Sequence, residues 1–328
     1  MSDPTEAKCN PYPIWTPRFW HGMRLGDYSR LLWMNGIGIP AARWHMALLM
    51  LPISFVNSVL SWIQYLLFNR RITATRIESP PLFVIGHFRA GTTHLYELLA
   101  CDDRFAYPTT YDCFAASHSV LTGKLFPRLL AFLLPKKRPM DDMAAGFQRP
   151  QEDEFALIGL GGPTSYLRMA FPNNPTPCLE TLNLEGIAAP TEQRLRRKLL
   201  WFYQALTLRY RKRLLIKSPP HTGRIAMLAE MFPGAKFLHI VRHPYEMVPS
   251  QMHTWTLLDA TQGFQVPRSD ADQGDLVLRM FELIYDGFKR QRGAVASANI
   301  DEIHYEDLVS DPLAELSRVY KHLGLAEF

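Results

Sequence analysis

From residue 82 onward, short apolar runs alternate with loops and helical periods, and this alternation constrains the fold more than any other feature of the sequence. The runs are LFVIG, RLLIK, AKFLHIV and NIDEIHY, at residues 82–86, 213–217, 235–241 and 299–305. Strands that alternate with helices predict an α/β fold, a mostly parallel sheet flanked by helices. Ligands of such sheets collect beyond the carboxyl ends of the strands, so we expect functional residues just after these runs.

The chain of 328 residues has 47% hydrophobic and 20% charged residues, which is ordinary for a globular protein. We predict an N-terminal helical, membrane-associated segment at residues 1–78 and an α/β domain at residues 79–328. Residues 113–180, rich in proline, phenylalanine and leucine, are predicted to form a helical insertion over the site. The net charge of +5 suits an anionic ligand or an acidic membrane surface, but no basic stripe supports nucleic-acid binding.

The four cysteines are widely spaced and form no CxxC pair, so neither a zinc site nor a disulfide framework is predicted. The N-terminal sequence MSDPTEAKCNPYP has an acidic residue and prolines where a signal peptide needs a basic start and an apolar run. These features predict a cytoplasmic protein rather than a secreted one.

Residues 46–68 carry no charge and are flanked by Arg43, Arg70 and Arg71. A stretch of this length suffices to cross a bilayer, for which about 20 apolar residues are needed. Polar side chains nevertheless recur within it at helical spacing, on one stripe: Ser54, Asn57, Ser58, Ser61 and Gln64. The sequence therefore favours a helix that lies in the membrane interface or packs on the main domain, with a true span as the alternative.

The loop after the first strand reads HFRAGTT and leads into a helix whose first N–H groups lack intrahelical partners. Gly91 permits close backbone approach, and the hydroxyls of Thr92 and Thr93 can donate to phosphate oxygens. The P-loop pattern of ATP- and GTP-binding proteins fails here, because Thr92 stands where that pattern needs a lysine. Arg89 supplies the positive charge instead. The segment predicts an anion-binding turn without a Mg²⁺-triphosphate arrangement.

The pattern G-x-x-R-[SA]-G-T-T-x-L after a strand resembles the 5′-phosphosulfate loop of sulfotransferases, with Ala90 where serine is common. The segments LLIKSPPH (214–221) and HYEDLVSDP (304–312) resemble the K-S-P-x-H and Y-E-D-L-x-x-D-P motifs of one broad branch of that family. The resemblance runs from about residue 80 to the C-terminus. It implies a P-loop-like fold and a metal-free reaction that uses 3′-phosphoadenosine 5′-phosphosulfate (PAPS) and releases 3′-phosphoadenosine 5′-phosphate (PAP).

PAPS also carries a 3′-phosphate, which needs a second positive site. The segment KFLHIVRHPYEMVPS places Arg242 at a strand end and Ser250 eight residues later, the offset of the arginine and serine that grip the 3′-phosphate in this family. The resemblance thus implies that residues 89–93 and the pair Arg242 and Ser250 bind one nucleotide. Many relatives continue into a C-terminal segment that covers the nucleotide, whereas this chain ends at Phe328, so we expect that cover to be incomplete.

Sulfuryl transfer to a hydroxyl needs a base for the acceptor proton and cations for the charge on the transferring group. Arg89 and Lys217 are the predicted cations, with a salt-bridged strand end as the alternative for Lys217. The candidate bases, in order, are Asp112, Glu152 and His221. Asp112 stands where relatives carry the glutamate of P-T-x-W-E, Glu152 belongs to a carboxylate cluster in RPQEDEF, and His221 has a suitable ordinary pKa of about 6.5.

The sequence therefore predicts a PAPS-dependent sulfotransferase that acts on a hydroxyl of a small or amphiphilic, lipid-like acceptor. We expect the acceptor pocket within residues 113–180 and a peripheral membrane contact through residues 46–68. No metal is predicted, because the other histidines lack a ligand spacing. Two alternatives stay open: an ATP-dependent phosphotransferase, which the missing lysine disfavours, and a membrane-associated nucleotide-binding protein without catalytic activity.

Overall fold

The computed structural model describes residues 12–13, 15–36, 38–138, 143–267 and 270–325, with only the backbone at residues 270–272. Its centre is a five-stranded sheet in the order β2–β3–β1–β4–β5. The strands are β1 (Leu82–Ile85), β2 (Phe105–Ala106), β3 (Arg213–Lys217), β4 (Lys236–Val241) and β5 (Ile300–His304). All neighbouring strands pair in parallel. The predicted parallel α/β sheet is confirmed, and β2 is an edge strand that the sequence analysis missed.

Helices cover both faces of this sheet. The α-helices are α1 (Leu25–Met34), α2 (Trp44–Ala74), α3 (Thr92–Leu99), α4 (Thr110–Phe114), α5 (Ser119–Thr122), α6 (Phe126–Leu129), α7 (Asp153–Gly159), α8 (Ala189–Tyr210), α9 (Ile225–Met231), α10 (Pro244–Gln262), α11 (Asp270–Gln291), α12 (Tyr305–Ser310) and α13 (Pro312–His322). Short 3₁₀ helices lie at Phe19–Gly22, Ala41–Arg43, Ala131–Leu133, Ser165–Ala170, Leu179–Leu182, Pro219–Arg224, Arg292–Ala294 and Ser297–Asn299.

The central strand β1 is buried on both faces, as a continuous apolar run in a parallel sheet predicts. Successive side chains point to opposite faces of a strand. Phe83 and Ile85 join the core that contains residues of α1, α2 and α8. Leu82 and Val84 join the core that contains residues of α3, α12 and α13. The sheet therefore separates the N-terminal helices α1 and α2 from the C-terminal helices α12 and α13.

The long helix α2 lies along the domain rather than projecting from it. Its segment Ala41–Ala74 is long and apolar enough to cross a membrane by length and composition, yet buried residues recur along it from Met46 to Ile72. Its polar stripe faces inward: Asn57 donates to the carbonyl oxygen of His21 at 2.7 Å, and Gln64 donates to that of Ser117 at 2.9 Å. Of the arrangements predicted for this helix, namely a position in the membrane interface, packing on the main domain or a true span, the structure shows packing on the main domain.

The loops that follow β1, β3 and β4 meet at one edge of the sheet because the strands are parallel. This edge carries the turn between Ile85 and α3, the end of β3 at Lys217, and Arg242 directly after β4. The insertion between α4 and α8 contains α5, α6, α7 and several 3₁₀ helices, in agreement with the predicted helical insertion.

Candidate active site

A cavity of about 320 Å³ lies at this edge of the sheet. Its wall contains the turn after β1 and the residue that follows β4, which are Gly91 and Arg242 among others. The other part of the wall is aromatic and aliphatic, and includes Phe19, Phe88, Phe114, Phe155, Trp255 and Leu258. The cavity therefore has a polar, cationic part and an apolar part. Phe19 comes from the N-terminal segment, so that segment contributes to the wall.

The turn before α3 has the backbone geometry of an anion-binding nest. Arg89 (φ 64°) and Gly91 (φ 94°) both adopt left-handed conformations, and the helix begins directly afterwards at Thr92. A Cβ at Gly91 would lie 2.3 Å from the ring of Tyr305, so only glycine fits there without a shift. Ala90 is buried, while the side chain of Arg89 reaches the cavity. Residues 89–93 thus form one continuous turn at a helix N-terminus.

Arg242, the arginine of the second predicted anchor, lies in the wall of the same cavity. The guanidinium of Arg242 lies 4.3 Å from the ring centroid of Tyr305, and its Nη2 donates to Glu246 at 3.2 Å. Its Nε is buried and has no hydrogen-bond partner among the described residues. Ser250 accepts a hydrogen bond from Arg89 Nε at 3.0 Å. The structure therefore brings Arg242, Ser250 and the β1 turn together.

Lys217 and Glu152 form an ion pair beside the β1 turn. Lys217 Nζ donates to Glu152 Oε1 at 2.5 Å and to Thr93 Oγ1 at 3.1 Å. The second carboxylate oxygen, Oε2, accepts a hydrogen bond from the hydroxyl of Tyr166 at 2.6 Å. Glu152, Tyr166 and Thr93 all line the cavity. The alternative prediction for Lys217, a salt-bridged strand end, matches its ion pair with Glu152. Because Glu152 and Thr93 line the cavity, this ion pair borders the site.

The electrostatic setting of this pair is unusual. Burial lowers the pKa of Lys217 below its usual 10.5, and the positive charges of Arg138 and Arg89 act in the same direction, while Glu152 opposes them. Burial also raises the pKa of Tyr166 well above 10, and the charge of Glu152 adds to that shift. Tyr166 therefore stays a hydrogen-bond donor. The three cationic side chains Lys217, Arg89 and Arg138 lie near the one carboxylate of Glu152.

Asp112, ranked first as the base, lies outside the wall of this cavity. Its carboxylate is fully buried, and it caps α4 by accepting hydrogen bonds from the N–H and the hydroxyl of Thr109. It also accepts from Tyr210 at 2.7 Å and pairs with Arg209. The structure gives Asp112 structural partners and does not bring it together with the β1 turn.

His221 is also fully buried and outside the cavity wall. Its Nδ1 accepts from Arg224 Nε at 3.1 Å, so Nε2 carries the proton and donates to Asp153 Oδ2 at 2.9 Å. Tyr203 donates to the same oxygen at 2.5 Å. Burial acts to raise the pKa of Asp153, but His221, Tyr203 and Arg224 together hold it below its usual value. His221 thus belongs to a buried network beneath the site.

Sequence reasoning missed several residues of the cavity wall. Tyr166 lies in a 3₁₀ helix of the insertion, and no pattern in the sequence marks it. Arg138 directly follows the basic end of SVLTGKLFPRLLAFLLPKK, the segment from which we predicted the acceptor pocket. Tyr305 starts the Y-E-D-L motif, and its ring lies against the guanidinium of Arg242, the second predicted anchor. Within the described part of the chain, no group of three or more His, Cys, Asp or Glu residues is arranged to hold a metal ion.

Comparison with known proteins decides the family. Residues 80–328 match the family model described as "Sulfotransferase family". The chain belongs to this family. It is 41% identical over 324 residues to the omega-hydroxy-beta-dihydromenaquinone-9 sulfotransferase Stf3 of Mycobacterium tuberculosis, and the alignment covers 99% of this chain and 83% of that relative. The Mycobacterium bovis protein of the same name gives the same values. The predicted family is confirmed, and the interpretation as an ATP-dependent phosphotransferase loses its support.

Solved structures support the fold of this sulfotransferase. The sulfotransferase STF9 from Mycobacterium avium aligns with a TM-score of 0.62 at 18% identity, over 93% of this chain and 84% of that one. STF1 from Mycobacterium tuberculosis aligns with a TM-score of 0.60 at 18% identity, over 94% and 83%. The P-loop-like α/β fold that the sequence predicts is therefore confirmed.

Proposed function

We propose that this sulfotransferase moves the sulfuryl group of PAPS to a hydroxyl of an amphiphilic, lipid-like acceptor, with Glu152 as the base. The observation that carries the proposal is that Glu152 lines one cavity together with Arg89 and Arg242 and forms an ion pair with the buried Lys217. We further propose a cytoplasmic protein with a peripheral membrane contact through residues 46–68. The apolar outer face of that helix supports this contact.

The donor site is supported by the fit of its residues to a nucleotide with two phosphate ends. The nest at residues 89–93 suits the 5′-phosphosulfate, because its N–H groups and the helix N-terminus favour negative charge. Arg242 suits the 3′-phosphate, because its buried Nε has no partner among the described residues and an arginine fork matches phosphate oxygens. Ser250 contacts the nest through its hydrogen bond with Arg89.

In the proposed reaction, the acceptor oxygen forms a bond to sulfur as the bond between sulfur and the 5′-phosphate oxygen breaks, and PAP leaves. The hydroxyl proton passes to the carboxylate of Glu152. Lys217 and Arg89 hold negative charge on the transferring group. Tyr166 fixes the Oε2 oxygen of Glu152 by a hydrogen bond, which orients the carboxylate.

The acceptor class rests on the cavity and on the relative. Apolar side chains such as Phe88, Phe155 and Trp255 line the part of the wall away from the cations. The relative Stf3 acts, by its name, on an omega-hydroxy-beta-dihydromenaquinone, a hydroxyl on a long apolar chain. We therefore propose an ω-hydroxylated isoprenoid or a similar long-chain alcohol as the acceptor of this protein.

Nucleotide binding and turnover test the proposal separately. In a thermal-shift experiment in EDTA, PAP should raise the melting temperature, since a ligand at 100 times its Kd stabilises by about 2.7 kcal/mol. The double variant R89A/R242A should lose that shift. With PAPS and omega-hydroxy-beta-dihydromenaquinone-9, the native protein should release PAP and form the sulfate ester.

The alternatives give different results in the same experiments. A shift with PAP but no turnover on any hydroxyl acceptor would favour a nucleotide-binding protein without catalytic activity. A shift with ATP and Mg²⁺ alone would favour a phosphotransferase. An unchanged PAP shift in R89A/R242A would refute the proposed donor site.

A further inference from the structure

The outer face of α2 is apolar, which is the reverse of an ordinary surface helix. Large apolar side chains recur at helical spacing and face solvent: Leu48, Phe55, Val59, Trp62 and Leu66, with Trp62 63% exposed. Single exposed apolar residues need no explanation, but a contiguous row along a helix marks an interaction surface. We call this row the α2 outer face.

Hydrogen bonds on the opposite side of α2 fix the direction of this face. Asn57 donates to the carbonyl oxygens of His21 and Met23 at 2.7 and 3.1 Å. Gln64 donates to Ser117 and accepts from the N–H of Leu121 at 3.0 Å. Rotation of the helix to hide its apolar side chains would break these buried bonds. The exposure is therefore built into the fold.

A second exposed apolar segment begins where Gln64 holds the insertion. Leu125, Leu129 and Phe132 follow Leu121 within 11 residues, and Phe132 is 76% exposed. Leu125 is only four residues from Leu121, whose N–H donates to Gln64 of α2, so the Cα atoms of Leu125 and Leu121 lie within about 14 Å of each other. The same segment continues to Leu134 and Arg138, which line the cavity. Residues 125–138 therefore connect an exposed apolar region next to α2 with the active site.

The charge around both segments has one sign. Residues 28–77 contain five arginines and no acidic residue, and residues 113–138 contain five lysines or arginines with Asp112 just before them. Arg70, Arg71, Lys124 and Arg128 are exposed. Apolar side chains flanked by cations match the interface of a bilayer with anionic headgroups. In a symmetric dimer through this surface, like charges would face each other.

We propose that the α2 outer face and residues 125–132 together seat this protein on an anionic bilayer, and that residues 125–138 form the access route by which a lipid acceptor reaches the cavity. The first half extends the proposed membrane contact of α2 to residues 125–132 and to anionic lipid, and it does not depend on the sulfuryl transfer; the second half rests on the proposed acceptor. A helix that packs along its length on the domain lies in the interface, with its axis along the membrane surface, so the protein binds one leaflet without spanning the bilayer.

Vesicle flotation of the full chain tests the seating. We expect flotation with vesicles of phosphatidylcholine and phosphatidylglycerol, and at least about tenfold weaker partition into pure phosphatidylcholine. The variants W62S/L66S and L129S/F132S should each lower partition at least about tenfold. The matched control V309S/L313S replaces exposed apolar residues of α12 and α13, on the other side of the sheet, and should float like the native protein.

Three results would overturn the seating. The first is equal flotation of all variants, and the second is no flotation of the native protein with either vesicle. The third is a stable dimer by light scattering that W62S/L66S dissociates, with no vesicle binding, since the α2 outer face would then bind a second copy. Far-UV circular dichroism and thermal melting of each variant confirm that a loss of flotation is not a loss of folding.

The access route predicts a difference between acceptors. With omega-hydroxy-beta-dihydromenaquinone-9 in anionic vesicles, L129S/F132S should be at least about tenfold slower than the native protein. With a soluble analogue that keeps the ω-hydroxyl on a single isoprene unit, L129S/F132S and the native protein should show similar turnover rates. Equal loss on both acceptors would overturn the access route. Flotation without turnover of either acceptor by the native protein would overturn the proposed acceptor and the route, while the seating would stand.

Discussion

Glu152 and Asp112 each accept hydrogen bonds from a cationic side chain and from a tyrosine hydroxyl, yet they lie in opposite settings. Glu152 and Tyr166 line the cavity, and Glu152 pairs with the buried Lys217 and accepts a hydrogen bond from Tyr166. Asp112 pairs with Arg209 and Tyr210, is fully buried and caps a helix. The same chemical groups therefore border the cavity in one place and stabilise the fold in the other. Access to the cavity, which residue type does not reveal, makes the difference.

The largest expected effect is the loss of turnover in E152Q. The amide keeps the size of the side chain but cannot take the acceptor proton, so kcat should fall about 10²- to 10⁴-fold. The PAP-induced thermal shift should remain, because the β1 turn and Arg242 are unchanged. Steady-state PAP release measures this. If E152Q keeps kcat within about tenfold of the native value, another group is the base and the comparison with Asp112 fails.

The matched change D112N should affect stability and leave the chemistry intact. It removes the charge that compensates Arg209, and breaking a buried pair costs about 3–5 kcal/mol. Arg209 keeps 14% side-chain exposure, so we expect about 3 kcal/mol of lost unfolding free energy. Urea denaturation measures this loss, and kcat of the folded protein should stay within about threefold. A large loss of kcat at unchanged stability would instead assign the base to Asp112.

The sequence predicted the sheet and the position of the turn at residues 89–93 at its edge, because both depend on local patterns. Apolar runs located β1, β3, β4 and β5, and the strand–turn–helix pattern located residues 89–93 and Arg242. The edge strand β2 has two residues, Phe105 and Ala106, which is too short for any periodic signal.

The partners of each carboxylate could not be predicted from the sequence, because they come from distant parts of the chain. Glu152 meets Lys217 and Asp112 meets Arg209, across separations of 65 and 97 residues. The polar stripe of α2 was visible in the sequence, but its inward direction depends on hydrogen bonds to residues such as Ser117, which only the folded insertion provides. A ranking of bases by residue type and motif position therefore had no information on burial.

The smallest expected effect is a shift in the alkaline limb of activity. Burial, the main cause, lowers the pKa of Lys217, so as pH rises this lysine loses its proton below its usual 10.5 and the pocket loses positive charge. kcat/KM should therefore fall about tenfold per pH unit above that pKa. The buried hydroxyls of Tyr96 and Tyr166 do not titrate in this range, because burial raises the pKa of each well above 10.

The test is to measure kcat/KM between pH 7 and 10.5 at constant ionic strength, in native protein, K217R and D112N. This comparison distinguishes the Glu152–Lys217 pair from the Asp112–Arg209 pair. In K217R the guanidinium stays protonated, so the alkaline fall should move to higher pH. In D112N the fall should coincide with that of the native protein, because Asp112 and Arg209 both lie outside the cavity wall. Coincident profiles for native protein and K217R would assign the alkaline limb to a group other than Lys217. The charge of Lys217 would then be constant over this pH range. Glu152 would differ from Asp112 only by its position in the cavity wall.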